Sequence, residues 1–279
     1  MSGLPALVAL GAFLSATTLS ATTTPPSDLT ALLRDTQRQQ KKLEAIRRDY
    51  TYTEVQEQDV LDSKGNVKEH LVAKYDVTYV GPQRIRRLVG RQGQPLTPAE
   101  DRHEMERVEK EVKKAQNREA KDPEGDDDSQ AMMNSFLRIM RLTDPRHGEL
   151  HGRSVTICNF ERDPAAKSKD MQEKVLLKVS GTIWIDDATR TIARFEGRLD
   201  QGVRLGGGIL FSLHEGSDFS LEQVRVNDEI WFPSVATVHV QGRVLLAGMR
   251  RNITVRNSNF QRFRVNSTSV VAAPGQRAE

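Results

Sequence analysis

The chain has 279 residues, 37% of them hydrophobic and 28% charged, which is enough for one large domain with a polar surface. The formal net charge is +3 and no dense basic block is present, which argues against nucleic acid as a partner. A single cysteine, Cys158, excludes an intramolecular disulfide, and its place in an alternating apolar stretch predicts a small buried side chain.

The first 27 residues contain no charged side chain and carry an apolar stretch from Leu4 to Leu14, followed by small residues. This pattern is typical of a secretory signal peptide, and we predict a signal segment 1–21 with cleavage near residues 16–21. The apolar stretch is shorter than the ~20 residues of a membrane-spanning helix, which makes a retained anchor the weaker alternative. Export without disulfides indicates a bacterial periplasm, where we expect a soluble monomer.

A helix capped by Ser27 and ending near Arg48 is predicted next. Its apolar side consists of Leu29, Leu32, Leu33, Leu43 and Ile46. Two alternating stretches on either side of the turn 63–66 predict a hairpin, and a third strand follows the turn at Gly81-Pro82.

A charged helical insertion is predicted over residues 97–142. Thr97-Pro98-Ala99-Glu100 is a capping box. The helix after it carries a narrow apolar stripe: Met105, Val108, Val112 and Ala115. Residues 122–130 are acidic but lack a calcium-loop pattern, so we interpret them as a flexible linker. A second helix, 131–142, follows with one apolar face: Met132, Met133, Phe136, Leu137 and Met140.

The rest of the chain predicts strands only: 150–160, 174–186, 190–199, 209–226, 229–243 and 245–264. The expected fold class is therefore α+β, an antiparallel sheet with helices gathered on it. Asp186 and Asp187 lie between two alternating stretches, which predicts a solvent-facing turn rather than a catalytic carboxylate pair. His147 and His151 are spaced as in HExxH, but Gly148 stands in place of the glutamate and another glycine follows His151, which indicates a loop or strand start and predicts no metal site. No motif in the sequence calls for a cofactor.

Three strand segments resemble a known family: GTIWIDDATRTIARFEG, GSDFSLEQVRVNDEIWFPS and VHVQGRVLLAGMRRNITVRNSNFQRF. Their shared features are Gly-x-x-Trp-Ile-Asp, a turn, Ile-x-Arg-x-Glu, and later Trp231-Phe232-Pro233. The resemblance is to the outer-membrane lipoprotein-sorting superfamily, which includes the LolA and LolB carriers and the lipid-sensing half of RseB. It covers about residues 145–264 and implies an unclosed β half-barrel with helices over an apolar concave side. We therefore expect one LolA-like domain over 28–265 and a disordered tail, 266–279.

The resemblance implies a periplasmic, non-enzymatic carrier of lipid or acylated ligands, and an envelope sensor that binds a protein partner is the alternative. Along residues 174–185 we expect Val179, Ile183 and Ile185 to meet permanent core and Trp184 to face the ligand. Predicted ligand contacts on the sheet are Trp184, Phe195, Leu199, Trp231 and Val238. Predicted contacts on the Met-rich helix are Met132, Met133, Phe136 and Met140. That helix is either ordinary core or a movable lid, since methionine suits surfaces that repack.

Overall fold

The computed structural model describes residues 28–119, 128–205, 211–244 and 247–263. The predicted signal segment 1–21, the linker residues 122–127 and the predicted tail 266–279 lie outside the described residues. No helix in the described ranges is long and apolar enough to cross a membrane.

The described residues form four helices and thirteen strands. The helices are α1 (Leu29–Arg47), α2 (Pro98–Glu119), α3 (Asp128–Ile139) and α4 (Met171–Leu176). The strands are β1 (Tyr50–Leu61), β2 (Val67–Val80), β3 (Gln83–Arg91), β4 (Gln94–Pro95), β5 (Met140–Leu150), β6 (Arg153–Arg162), β7 (Val179–Asp186), β8 (Ile192–Leu199), β9 (Val203–Leu205), β10 (Phe211–Leu213), β11 (Asp218–Val226), β12 (Ile230–Val244) and β13 (Ala247–Arg262).

One antiparallel sheet contains these strands. Its order is β4-β3-β2-β1-β13-β12-β11-β8-β7-β6-β5, and β10 joins it by pairing with β12 and β9. The two ends, β4 and β5, do not pair with each other, so the sheet is unclosed. This confirms the predicted α+β class and the half-barrel arrangement.

Helix α1 crosses this sheet and connects two hydrophobic clusters. Its first half, with Leu32, packs in a cluster that includes Ile183 and Phe160, and its second half, with Leu43, packs beside Tyr50. The predicted apolar side of α1 is therefore correct. Its cap is one residue later than predicted, because the Asp28 carboxylate accepts a 2.9 Å hydrogen bond from the Ala31 N–H.

Helix α2 covers the edge of β3. The Glu104 carboxylate accepts a 2.7 Å hydrogen bond from the Leu88 N–H, and the Arg107 guanidinium donates to the Arg86 carbonyl. These bonds satisfy backbone groups that an edge strand would otherwise expose to other chains. The capping box is confirmed, and Ala115 of the predicted stripe is buried at 3% with Val108 and Val112 partly buried. At the start of the stripe Glu104 is buried instead of Met105, which is 48% exposed.

Two boundaries differ from the predictions. The predicted strand 174–186 contains a helix, α4, because Asp170 caps it and Glu173 bonds back to the Lys169 N–H. The predicted helix 131–142 ends at Ile139, where β5 begins and pairs along β6. His147 therefore lies within β5.

Candidate ligand-binding face

The face of the sheet that carries α1 is called the inner face. The pairing register places two rows of side chains across it, since residues two apart in a strand share a face. One row runs through Leu71, Gln58, Ile253, Val238, Phe219, Gly197, Gly181, Phe160 and Leu142. The other runs through Ala73, Gln56, Val255, Ala236, Leu221, Phe195, Ile183 and Cys158.

The β5–β8 half of the inner face is filled by aromatic rings. Phe136 of α3 meets the rings of Phe160 and Phe195 edge-on, each at a centroid distance of 5.0 Å. Phe160 and Phe195 stack on each other at 4.7 Å. We call these three residues the phenylalanine plug. Phe136 is 3% exposed, so the plug leaves no room for a ligand in this arrangement.

Helix α3 is held over the plug by an ion pair with α4. The Arg138 guanidinium contacts the Glu173 carboxylate, whose side chain is 3% exposed. Hydrogen bonding from Arg138 and from the Lys169 N–H lowers the pKa of Glu173 to about 2, so the carboxylate stays charged at pH values where an ordinary glutamate takes up a proton. Docking of α3 thus combines apolar burial with one charged contact.

The β2–β11 half of the inner face remains partly exposed. Its apolar residues are Leu71, Ala73, Leu221, Ala236, Val238, Ile253 and Val255, and Gln56 and Gln58 lie among them. We call this surface the open trough. Leu71 is 38% and Val238 37% exposed, whereas Phe136, Phe160 and Ile183 in the other half are at most 3% exposed. Phe219 joins the two halves, since its ring lies 5.5 Å from that of Phe195.

A buried charge cluster borders the trough on β1–β3. Glu54 is 2% exposed and pairs with both Arg84 and Arg86. Arg86 also lies over the Tyr75 ring at 4.0 Å, and the cluster opens into a cleft of about 400 Å³. Since two guanidinium groups surround one carboxylate, this end of the inner face carries a positive charge next to apolar surface. The cluster was not predicted from the sequence, although the alternating arginines of QRIRRLVGR could have indicated it.

The nine predicted ligand contacts do not form one lining. Phe195 and Leu199 share the inner face with Ile183 and Val179, to which they are paired. Trp184 is paired with Arg194, which places it on the opposite face, where the Arg194 guanidinium lies 5.2 Å from the Trp184 ring centroid.

The remaining predicted contacts also separate. Trp231 is buried near the β7–β8 turn, where its indole N–H donates to Thr189 at 3.2 Å. Val238 lies in the open trough. Phe136 and Met140 are buried at 3%, Met133 is partly buried in the same cluster, and Met132 is 48% exposed. Met140 belongs to β5 rather than to the helix.

The two adjacent aspartates form a turn, but the prediction that both face solvent is wrong for Asp186. Its side chain is 1% exposed and accepts two hydrogen bonds from Arg153, at 2.6 and 2.9 Å, and two from Thr189. Burial alone would raise the pKa of Asp186, but the bonds from Arg153 and Thr189 outweigh it and the pKa is lowered. Asp187 instead accepts from Ser154 and Thr156, so the carboxylates point apart.

The described residues contain no group of three or more His, Cys, Asp or Glu side chains placed to hold a metal ion. Cys158 is fully buried beside Ile183, as predicted, and burial raises the pKa of its thiol to about 11. The thiol is therefore protonated at neutral pH and is not a nucleophile. His151 lies at the β5–β6 turn, and its Nε2 atom is 2.8 Å from the Oε1 atom of Glu222. This side chain therefore makes a polar contact at the protein surface.

No protein-family model matches the sequence, and no curated protein matches it significantly. Solved structures are similar to it. An outer membrane lipoprotein-sorting protein domain from Vibrio parahaemolyticus is 8% identical with a TM-score of 0.36, over 82% of this chain and 92% of that one. A DUF1329 family protein from Desulfovibrio piger is 11% identical with a TM-score of 0.32, over 87% and 95%.

MucB in complex with MucA(peri) is also similar, with 9% identity and a TM-score of 0.22 over 83% of this chain and 94% of that one.

Proposed function

We propose that the protein is a non-enzymatic binding or carrier protein of the bacterial periplasm, and that its ligand is a lipid or another acylated molecule. The observation that supports this most is the open trough, a partly exposed surface over five strands that is apolar on β2, β11, β12 and β13 and carries Gln56 and Gln58 on β1. An exposed and largely apolar surface of this kind is typical of an interaction site rather than of a solvated sheet face.

The free energy of burying an acyl chain in the trough shows how strongly the trough alone would bind it. From β2 to β11 the trough crosses four strand spacings, about 19 Å. Half-burying about twelve CH₂ groups there would contribute about 5 kcal/mol, at ~0.8 kcal/mol per fully buried group. That corresponds to a dissociation constant of about 0.2 mM, which is weak.

Tight binding would therefore need cover on the second side of the acyl chain. We propose that α3 supplies it as a lid: when Phe136 leaves Phe160 and Phe195, the chain extends from the trough onto the vacated rings. Phe195, Leu199 and Val238 would then line one continuous surface, and α3 would close over it.

A charged side chain in the trough tests this proposal. Val238→Lys places a cation among the apolar side chains at a position that is 37% exposed, so the fold should tolerate it. Binding of a fluorescent fatty acid should weaken at least tenfold, because about 1.4 kcal/mol of lost apolar contact is enough for that factor. The assay is fluorescence titration, with circular dichroism as the check of folding.

Val244→Lys is the matched control. Val244 lies on the same strand at 41% exposure, six residues or about 20 Å further along. It should leave the titration unchanged. Equal affinity in wild-type protein and Val238→Lys would contradict the trough as the binding surface.

The filled plug supports a second candidate, an envelope sensor or partner-binding protein with no transported ligand. In that case the rings are permanent core and the trough receives a protein segment. Mass spectrometry of lipids extracted from the purified protein distinguishes the two: co-purified lipid supports the carrier. Its absence, together with unchanged fatty-acid titration in Val238→Lys, supports the sensor.

A further inference from the structure

A second cleft lies at the β5–β7 end of the sheet, outside the open trough. It has a volume of about 840 Å³ and is bounded by β5, β6, α4 and β9. This size is within the range of small-molecule sites. None of its lining residues belongs to the trough, so a ligand could bind in this cleft without occupying the trough.

The rim of this cleft is strongly cationic. Five basic side chains line it: Arg141, Arg162, Lys174, Lys178 and Arg204. Only two carboxylates, of Glu161 and Asp200, line it with them, which leaves a local excess of three positive charges. The whole chain has a formal charge of only +3, so the cleft concentrates cations that elsewhere are balanced.

Most of these cations are available to a ligand. Arg141 is engaged with Glu161 at 2.6 Å, and the Lys178 ammonium donates to the Gly202 carbonyl at 2.7 Å. In the part of the chain that the structure describes, the side chains of Arg162, Lys174 and Arg204 have no carboxylate within ion-pair distance. All three are exposed. These three exposed cations share the cleft with the carboxylate of Asp200, so a net positive charge remains, which attracts an anion.

The cleft also has an apolar side. Leu177, Val179 and Val203 line it and belong to the same hydrophobic cluster as the phenylalanine plug. Met171 lies beside them and is 37% exposed. A small inorganic anion would leave these contacts unused, whereas an anion that carries an alkyl chain would cover them.

We propose that this cleft binds the anionic head of an amphiphile, with a phosphate or carboxylate against Arg162, Lys174 and Arg204. The first carbons of its chain lie on Leu177 and Met171. Arginine suits this role because its planar guanidinium meets a phosphate with two parallel hydrogen bonds.

The test uses the full chain carrying Val238→Lys, in which the trough is blocked, and calorimetric titration with dodecyl phosphate below its micellar concentration. Lys174→Gln with Arg204→Gln should weaken binding at least tenfold, since each lost charge contributes on the order of a fivefold change in water at 4 Å. Binding by the unaltered cleft should also fall as salt rises. The matched control is Lys64→Gln with Lys68→Gln, two exposed lysines of the β1–β2 hairpin, which should change nothing.

Two further ligands separate the sources of the signal. Dodecylphosphocholine has the same chain and a zwitterionic head, and it should bind at least fivefold more weakly. Inorganic phosphate should bind more weakly than dodecyl phosphate, because it cannot use the apolar side. The proposal would be overturned if inorganic phosphate or dodecylphosphocholine bound as tightly as dodecyl phosphate, or if dodecyl phosphate did not bind. It would also be overturned if the control pair weakened binding as much as Lys174→Gln with Arg204→Gln.

Discussion

The contact between Arg153 and Asp186 joins the β5–β6 and β7–β8 hairpins, and the substitution Asp186→Asn tests its contribution to stability. Asparagine keeps the shape of the side chain and the oxygen that accepts from Thr189. It removes the charge that Arg153 contacts through two nitrogens, at 2.6 and 2.9 Å. The change therefore isolates the ion pair rather than the turn.

The expected loss of unfolding free energy in Asp186→Asn follows from the burial of Asp186 and Arg153. Breaking a buried ion pair by removing one partner costs ~3–5 kcal/mol. The Asp186 side chain is 1% exposed, but that of Arg153 is 29% exposed and can reach water, so we expect the lower end, about 3 kcal/mol. For a chain of this size that corresponds to a melting temperature lower by about 6–12 °C.

Urea unfolding followed by fluorescence measures the loss, and Asp187→Asn is the control. Asp187 is 24% exposed and accepts from two hydroxyl groups, so its substitution should cost about 1 kcal/mol or less. Fatty-acid binding should be unchanged in both variants, because both carboxylates lie outside the inner face. Equal losses in the two variants would refute the assignment of the energy to the Arg153 pair.

The pH dependence of the same pair has a defined sign. The folded pKa of Asp186 is below its ordinary value, so the carboxylate stabilises the fold at pH values above the unfolded pKa of about 3.9. The stability is lost as pH falls through the folded pKa. The difference between wild-type protein and Asp186→Asn should therefore be constant near neutral pH and shrink below about pH 4. A difference that persists undiminished in acid would contradict the charge as its cause.

Helix α2 and the phenylalanine plug give two further predictions. Glu104→Ala removes the bond to the Leu88 N–H, so unfolding free energy should fall by about 1–3 kcal/mol. Size-exclusion chromatography should then show self-association through the uncovered edge, and the exposed neighbour Glu106→Ala should show neither effect. In the wild-type protein the Cys158 thiol should resist iodoacetamide at pH 8, because it is buried and its pKa is raised. If α3 acts as a lid, Phe136→Ala should accelerate labelling of this thiol. Unchanged labelling, measured by mass spectrometry, would indicate fixed core.

Patterns that depend on neighbours in sequence predicted the fold well. Alternation placed most strands, and the capping box at Thr97 and the apolar side of α1 were correct because both depend on residues within a few positions. The helix α4 was missed although its signal was present: Asp170 followed three residues later by Glu173 is itself a capping pattern. The apolar residues of VLLKVSG, which follow Glu173, predicted a strand, and the capping pattern that indicates a helix was given less weight than they were.

The candidate site was harder to predict because it depends on pairing between distant strands. Ile183, Phe195, Leu221 and Ala236 share one row only by virtue of the register across four strands. A shift of one residue moves a side chain to the other face, which is why Trp184 was grouped with Phe195 although they point to opposite sides. The burial of Asp186 likewise required knowing that Arg153 lies beside it.

Two glycines explain why half of the inner face is filled. Gly181 and Gly197 are cross-strand partners between Phe160 on one side and Phe219 on the other. A Cβ added at Gly181 would lie 2.7 Å from the Phe160 ring, and one at Gly197 would overlap the Phe219 ring. The Phe160 and Phe219 rings therefore occupy space that a side chain at Gly181 or Gly197 would need, and Phe136 packs edge-on against Phe160. The superfamily resemblance predicted an apolar inner face, but these two glycines decide how much of it is open.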